Sequence, residues 1–147
     1  MENKNKSIID QPILLVDDNP DDVMIAKRAF TKSQIHNKVF VTEDGEDAIQ
    51  FLRKQGKYID VPTAGLVILD LNMPKIDGFE VLKTIKGDDK LKSIPIIVLT
   101  SSSRPEDIER AYKLGCNSFI VKPASFEDFI EAVMEIKRYW LTISKIP

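Results

Sequence analysis

Five times along the chain a short apolar run gives way to a stretch with helical spacing, and that alternation leaves few folds open. The runs are Ile13-Leu14-Leu15-Val16, Val39-Phe40-Val41, Gly65-Leu66-Val67-Ile68-Leu69, Ile96-Ile97-Val98-Leu99 and Phe119-Ile120-Val121. Apolar runs this short, bounded by turn residues, read as buried strands. Five strand–helix repeats of this length build a parallel sheet with helices on both faces. The 147 residues suit one domain with a single core, and no linker, repeat or low-complexity tract divides them. The domain is expected to run from residue 10 to 147, with residues 1–9 a disordered tail.

Helix starts are written between the runs. Asn19-Pro20-Asp21-Asp22 offers a capping amide, a proline for the first turn and acids at the positive end of the helix dipole. Val23, Ala26 and Phe30 form the apolar stripe of that helix. A second helix is expected from Gly45 to Gln55, burying Ala48, Ile49 and Leu52. Asp77 and Glu80 are spaced as a capping box ahead of Val81, Leu82 and Ile85. Ser103-Arg104-Pro105-Glu106 opens a fourth helix, with Ile108, Ala111 and Tyr112 turned inward and Gly115 as its stop. Ser125 and Asp128 cap the last, whose Phe126, Phe129, Ile130, Val133, Ile136 and Trp140 keep helical spacing throughout. The connection from Gly56 to Ala64, with Tyr58 and Pro62 in it, is longer than this architecture requires.

Four strands stop at a group able to bind a cation or a phosphoryl oxygen. The first ends in Asp17-Asp18, the third in Asp70, the fourth in Thr100 and the fifth in Lys122-Pro123. In a parallel sheet these ends share one edge, so the groups converge. Three carboxylates brought together repel, and either one binds a proton or a hard cation sits among them. Oxygen ligands in this number suit Mg²⁺, with the backbone carbonyl of Asn72 available to complete its shell. A carboxylate is a competent nucleophile toward phosphorus, and Asp70 is the expected acceptor. Lys122 and the metal would neutralise charge on the transferring group, and Thr100 would donate to one of its oxygens. No phosphate-cradling glycine loop is present, so the donor must be another protein or a small phosphorylated molecule.

Bland readings compete for each residue taken singly. A lone aspartate after a strand is commonly a cap, adjacent acids are usually a solvated turn, and Asp21-Asp22 are read that way. Lys122 alone would be an ordinary surface lysine. Only the set at four strand ends favours chemistry. His36 lies in a polar connection and is read as solvated, and Cys116 as packing. As the one cysteine it forms no internal disulfide, which points to a reduced, cytoplasmic setting. A formal charge of −2 gives no electrostatic reason to expect nucleic acid, and no apolar stretch approaches the length of a membrane span.

The chain resembles the receiver domain of two-component response regulators. The resemblance is carried by Leu15-Val16-Asp17-Asp18, Leu69-Asp70-Leu71-Asn72-Met73-Pro74, Asp77-Gly78-Phe79-Glu80, Val98-Leu99-Thr100 and Phe119-Ile120-Val121-Lys122-Pro123. It implies a flavodoxin-like α/β fold, a doubly wound (βα)5 sheet of strand order 2-1-3-4-5. It further implies Asp70 as phosphoacceptor, Asp18 and Asp70 as direct Mg²⁺ ligands, Asp17 as a water-mediated one and Asn72 as a backbone ligand. Thr100 and Lys122 would sense the phosphoryl group, Phe119 would be an aromatic rotamer switch, and the Lys122-Pro123 bond would be cis. The long third connection and Tyr139-Trp140-Leu141 are similar to the cyanobacterial phytochrome response regulators, stand-alone receivers served by a hybrid or photoreceptor histidine kinase. Ser101 stands where many receivers have alanine or glycine.

The expected function is thus a phosphorylation-controlled protein-binding module. An aspartyl-phosphate phosphatase would want a second acid two residues after the nucleophile, where Asn72 stands. A receiver that binds partners without phosphorylation is the other alternative, and the intact acid set counts against it. A DNA-binding regulator is disfavoured because no basic or helix-turn-helix segment follows Ile136. Tyr139, Trp140, Leu141 and Ile143 continue past the stripe that the last helix needs for the sheet. They are expected to anchor a homodimer through the face of the fourth helix, fifth strand and fifth helix; the alternative is that they fold back onto their own domain.

Overall fold

A computed structural model describes residues 11–73 and 77–143, the final three as backbone alone. Five parallel strands form one sheet: β1 (Ile13–Val16), β2 (Val39–Thr42), β3 (Leu66–Leu69), β4 (Ile96–Thr100) and β5 (Ser118–Val121). Their order is β2-β1-β3-β4-β5, and the register sets Val16 beside Leu69 and Leu69 beside Val98. The helices between and after them are α1 (Pro20–Lys32), α2 (Gly45–Arg53), α3 (Gly78–Lys86), α4 (Pro105–Lys113) and α5 (Phe126–Ile143). The expected flavodoxin-like architecture is the one observed.

Strand residues alternate strictly between two cores, as a pleated sheet covered on both sides requires. Leu14, Val16, Val67, Leu69, Ile96 and Val98 face α2, α3 and α4, meeting Phe51, Leu52, Phe79, Val81, Leu82 and Ala111. Ile13, Leu15, Leu66, Ile68, Ile97 and Leu99 face α1 and α5, meeting Ala26, Ala29, Phe30, Phe129, Val133, Ile136 and Trp140.

Capping follows the polar residues at the helix starts. Asn19 accepts from the backbone N–H groups of Asp21 and Asp22, Asp77 from Glu80, and Ser125 from Asp128. Each satisfies a donor that the first helical turn leaves unpaired. The long connection explains itself in packing: Tyr58 lies 5.3 Å from the Phe51 ring, which lies 5.2 Å from Phe40. The loop thereby extends an aromatic row over the edge of the sheet.

Several expectations are corrected. α2 ends at Arg53, because Lys54 is left-handed (φ 55°) and closes the helix two residues early. Tyr112 is not inward; it is 49% exposed, and its hydroxyl accepts from the backbone N–H of Phe119 on the edge strand β5. Among the described residues no peptide bond is cis, so Lys122–Pro123 is trans, the lower-energy form for most such bonds. Trp140 is 2% exposed within the α1–α5 core. It is therefore consumed by its own domain and does not anchor an interface; Tyr139 is half-buried against the same cluster. The side chains of Leu141 and Ile143, the tail 1–9 and Pro74 lie outside the described residues.

Candidate functional site

From β1 the chain crosses out to β2 and returns past β1 to β3. Strand order reverses there, and a crevice opens beyond the carboxyl ends of the strands. Asp17 leaves β1 and Asp70 leaves β3. Their backbone N–H groups continue the ladder, Asp17 to the Thr42 carbonyl at 3.1 Å and Asp70 to the Val16 carbonyl at 3.0 Å. Lys122 does the same after β5, donating to the Thr100 carbonyl at 2.8 Å. The sheet itself thus sets the backbone of the site.

Carboxylate oxygens of Asp17, Asp18 and Asp70 lie within 4.8 Å of one another. Asp17 and Asp70 are buried and Asp18 is half-buried. Asp17 Oδ1 accepts from the Asn19 N–H at 3.0 Å, and Asp70 Oδ1 from the Asn72 N–H at 3.1 Å. The second oxygen of each faces Lys122 Nζ, at 3.0 Å from Asp17 and 3.3 Å from Asp70. A fourth carboxylate joins them: Asp22 Oδ2, from the first turn of α1, lies 2.9 Å from the same ammonium.

Electrostatics follow from that crowding. Burial pushes the Asp17 carboxyl above its ordinary value, opposed by the Asn19 N–H and by Lys122. Burial alone would lower the Lys122 ammonium; the hydrogen bond to Asp22 and the charges of Asp70 and Asp17 outweigh it and hold the group well above its ordinary value. Four carboxylates against one ammonium leave an excess of negative charge. An all-oxygen donor set of this kind fits a hard divalent cation.

Thr100 is fully buried at the end of β4, and its hydroxyl accepts from the Asn72 side-chain amide at 3.3 Å. Beyond it, Ser102 donates to Asp107 at 2.5 Å, fastening the β4–α4 loop to the first turn of α4. Phe119 lies half-buried on β5 against the core under α4. On the opposite flank Gly78 closes the β3–α3 loop. Its N–H donates to the Leu71 carbonyl at 3.0 Å, and a Cβ there would sit 2.6 Å from the Asp70 carbonyl oxygen. Only glycine allows that approach.

The structure therefore brings Asp17, Asp18, Asp70, Thr100 and Lys122 to one edge and leaves Tyr139 and Trp140 away in the α1–α5 core. Two contributors escaped the sequence reading. In sequence Asp22 reads as solvated, yet the first turn of a helix leaving a site strand hangs over the same edge. Asn72 offers its carbonyl, and in the fold its side chain also contacts Thr100.

A carboxylate cluster at the switch point of a doubly wound sheet, flanked by a buried threonine and a paired lysine, defines a phosphoryl-accepting signalling domain. Residues 13–134 match the response regulator receiver domain, and the chain belongs to that family, whose members are phosphorylated by histidine kinases. The probable methanogenesis regulatory protein FilR2 of Methanothrix harundinacea is 42% identical over 92% of this chain and 86% of its own length. The response regulator Rcp1 of Synechocystis is 37% identical over 92% of each chain, and its Mn²⁺-bound form superposes with a TM-score of 0.82, covering 89% of this chain and 94% of that one. The phosphorylated cyanobacterial phytochrome response regulator RcpA, 37% identical, superposes with a TM-score of 0.86 over 93% of this chain and 98% of its own. Among the described residues no helix is long and apolar enough to cross a membrane.

Proposed function

We propose that the chain accepts a phosphoryl group on Asp70 and uses it to switch a protein-binding face. What carries the reading is one ammonium, Lys122 Nζ, shared by Asp17 and Asp70 with the Thr100 hydroxyl at the neighbouring strand end. An Asp70 oxygen attacks phosphorus, the bond to the donor's nitrogen or acyl oxygen breaks, and its electron pair leaves with the donor. Asp17, Asp18, Asp70 and the Asn72 carbonyl would hold Mg²⁺, which supplies charge neutralisation to the phosphoryl oxygens. Lys122 pairs with one of those oxygens, and Thr100 turns its hydroxyl to another. The domain thereby catalyses its own modification and the hydrolysis that reverses it, and no other reaction. Position 72 holds an amide engaged with Thr100, which gives the phosphatase alternative no second acid.

The description of RcpA as a phytochrome response regulator supports a phytochrome-type sensor histidine kinase as donor; a hybrid kinase would serve the same site, and the cytoplasm is the setting proposed for the transfer. Readout through the α4–β5–α5 face, by a homodimer or another protein, is supported by exposed Tyr112 and Val121 beside Phe119. Acetyl phosphate with Mg²⁺ tests the core of the reading. Intact-protein mass spectrometry should show one phosphoryl adduct that is absent in Asp70→Asn and absent without the cation. An adduct that survives in Asp70→Asn overturns the assignment.

A further inference from the structure

Lys122 is held by three carboxylates, and two of them have other work. Asp17 and Asp70 belong to the cluster fit for a cation, and under the function proposed above Asp70 also becomes an acyl phosphate, a mixed anhydride. Asp22 has neither role. It lies outside the cation cluster, yet at 2.9 Å it is the nearest of the three to Nζ, against 3.0 Å for Asp17 and 3.3 Å for Asp70. Its backbone is fixed at the start of α1, while its side chain is 36% exposed. The Asn19 side chain accepts from the Asp22 backbone N–H at 3.2 Å, and Pro20 opens the same turn. The Lys122 side chain is only 11% exposed, so water offers its ammonium little alternative company.

We propose that Asp22 is a positioning residue for Lys122: a counter-ion outside the cation cluster that keeps the ammonium aimed at the phosphoryl position once Asp17, Asp18 and Asp70 turn to the cation and Asp70 is phosphorylated. Without it Lys122 has two states. In the empty site it lies wholly on Asp17 and Asp70 and competes with the incoming cation. With the cation bound and before the phosphoryl group arrives, it is freed from both and samples many rotamers, which a four-carbon stem permits. With Asp22 in place a charge-assisted hydrogen bond survives every change at the other two acids, so Nζ is already placed when the phosphoryl group arrives. Asp22 acts through Lys122 alone and touches no reacting atom.

Two properties of Asp22 separate in experiment. Its charge adds to the field that attracts the cation, whereas its oxygen orients Lys122. Asp22→Asn removes the charge and keeps an acceptor; Asp22→Ala removes both. The Asn19 cap bonds to the backbone, so the helix start is retained in either variant. Phosphorylation by acetyl phosphate is followed across a Mg²⁺ titration. Both variants should need more Mg²⁺ for half-maximal rate. The plateau rate should drop about tenfold in Asp22→Ala, a barrier change of the size one positioned hydrogen bond supplies, and stay within about twofold of the parent in Asp22→Asn.

A second readout is independent of turnover. With saturating Mg²⁺ and no phosphoryl mimic, the Lys122 Hε–Cε NMR signal should remain at an ordered position in the parent and in Asp22→Asn. In Asp22→Ala it should move toward that of a free lysine. An Asp22→Ala plateau equal to the parent's, or an Asp22→Asn plateau as low as that of Asp22→Ala, overturns the positioning role. If Asp22→Ala fails to fold, Asp22→Leu, which also lacks charge and acceptor, takes its place in both measurements with the same expected outcomes. An unmodified parent would instead overturn the phosphoacceptor reading itself, so the two failures are distinguishable.

Discussion

Gly78 shows how closely single atoms are specified around Asp70. A methyl group at that position would meet Leu71 Cα at 2.5 Å and the Asp70 carbonyl oxygen at 2.6 Å, and backbone cannot step aside as a flexible side chain would. Gly78→Ala should therefore cost about 3 kcal/mol of stability, the upper range for overpacking, and displace the β3–α3 loop that carries the acceptor. A urea midpoint within error of the parent would show that the loop gives way freely. Cys116 is the opposite case, a group with chemistry that its place suppresses. Burial pushes its thiol up to about 11, only partly offset by the nearby Lys86 ammonium. The unfolded thiol ionises first, near 9.0, so native stability from this group is complete below that pH and is lost as pH rises toward 11. Iodoacetamide at pH 8 should label the native protein slowly and the urea-unfolded protein quickly, at a pH where few native thiols are ionised; equal rates would contradict a buried thiol. The strand-end acids, Thr100 and Lys122 were legible in sequence because a parallel sheet makes convergence of strand ends unavoidable. Asp22 was not, because its part depends on the angle at which α1 leaves the sheet, which no periodicity encodes.

Strands and capped helices were readable because each rests on local chemistry: a short apolar run, a capping side chain, a stop. What failed at this scale was the assignment of faces at the ends of elements. Helical spacing alone put Tyr112 inward, but α4 lies against the edge strand, and the ring is used there to give Phe119 N–H an acceptor. Spacing likewise continued the α5 stripe to Trp140 without saying whether the sheet extended that far. It does: Trp140 joins Ile13, Phe30 and Ile136 in one cluster. Its loss should therefore be a core event, and Trp140→Ala should destabilise the fold by about 3–5 kcal/mol without changing the state of association. Tyr139 to Pro147 can be removed by ending the chain at Arg138, and that version should unfold at markedly lower denaturant. A truncated chain as stable as the parent would return Trp140 to the surface. As the single tryptophan, Trp140 should also emit as a buried indole and report unfolding directly.

At the scale of the whole molecule the site and the proposed readout face are joined by β4 and β5. Thr100 ends β4 under the acceptor, the Ser102–Asp107 hydrogen bond fastens the following loop to α4, and Tyr112 ties α4 to Phe119. A phosphoryl group that draws the Thr100 hydroxyl from Asn72 pulls on that chain of contacts. A population shift of this kind needs only the differential binding free energy of the two states. With Mg²⁺ and beryllofluoride, NMR shifts should spread from Asp70 to Ala111, Phe119 and Ile130; shifts confined to the acid cluster would end the switch model.

The face those shifts reach also sets the terms for association. Burial of Trp140 removes the largest anchor that the sequence offered to a homodimer, leaving Tyr112 at 49% and Val121 at 38% exposure. Stable interfaces bury roughly 1,200–2,000 Å² in total around a cluster of such anchors. Two side chains of modest exposure make a weak pair, and a dimer through this face should therefore depend on the phosphorylated state to reshape it. Sedimentation velocity at tens of micromolar should show a monomer without beryllofluoride and a growing dimer fraction with it. Val121→Lys places a charge on the edge of β5 without entering either core, and it should abolish the dimer while leaving the urea midpoint unchanged. A chain that stays monomeric in both states, or a dimer indifferent to Val121→Lys, would assign the readout of this face to a different protein.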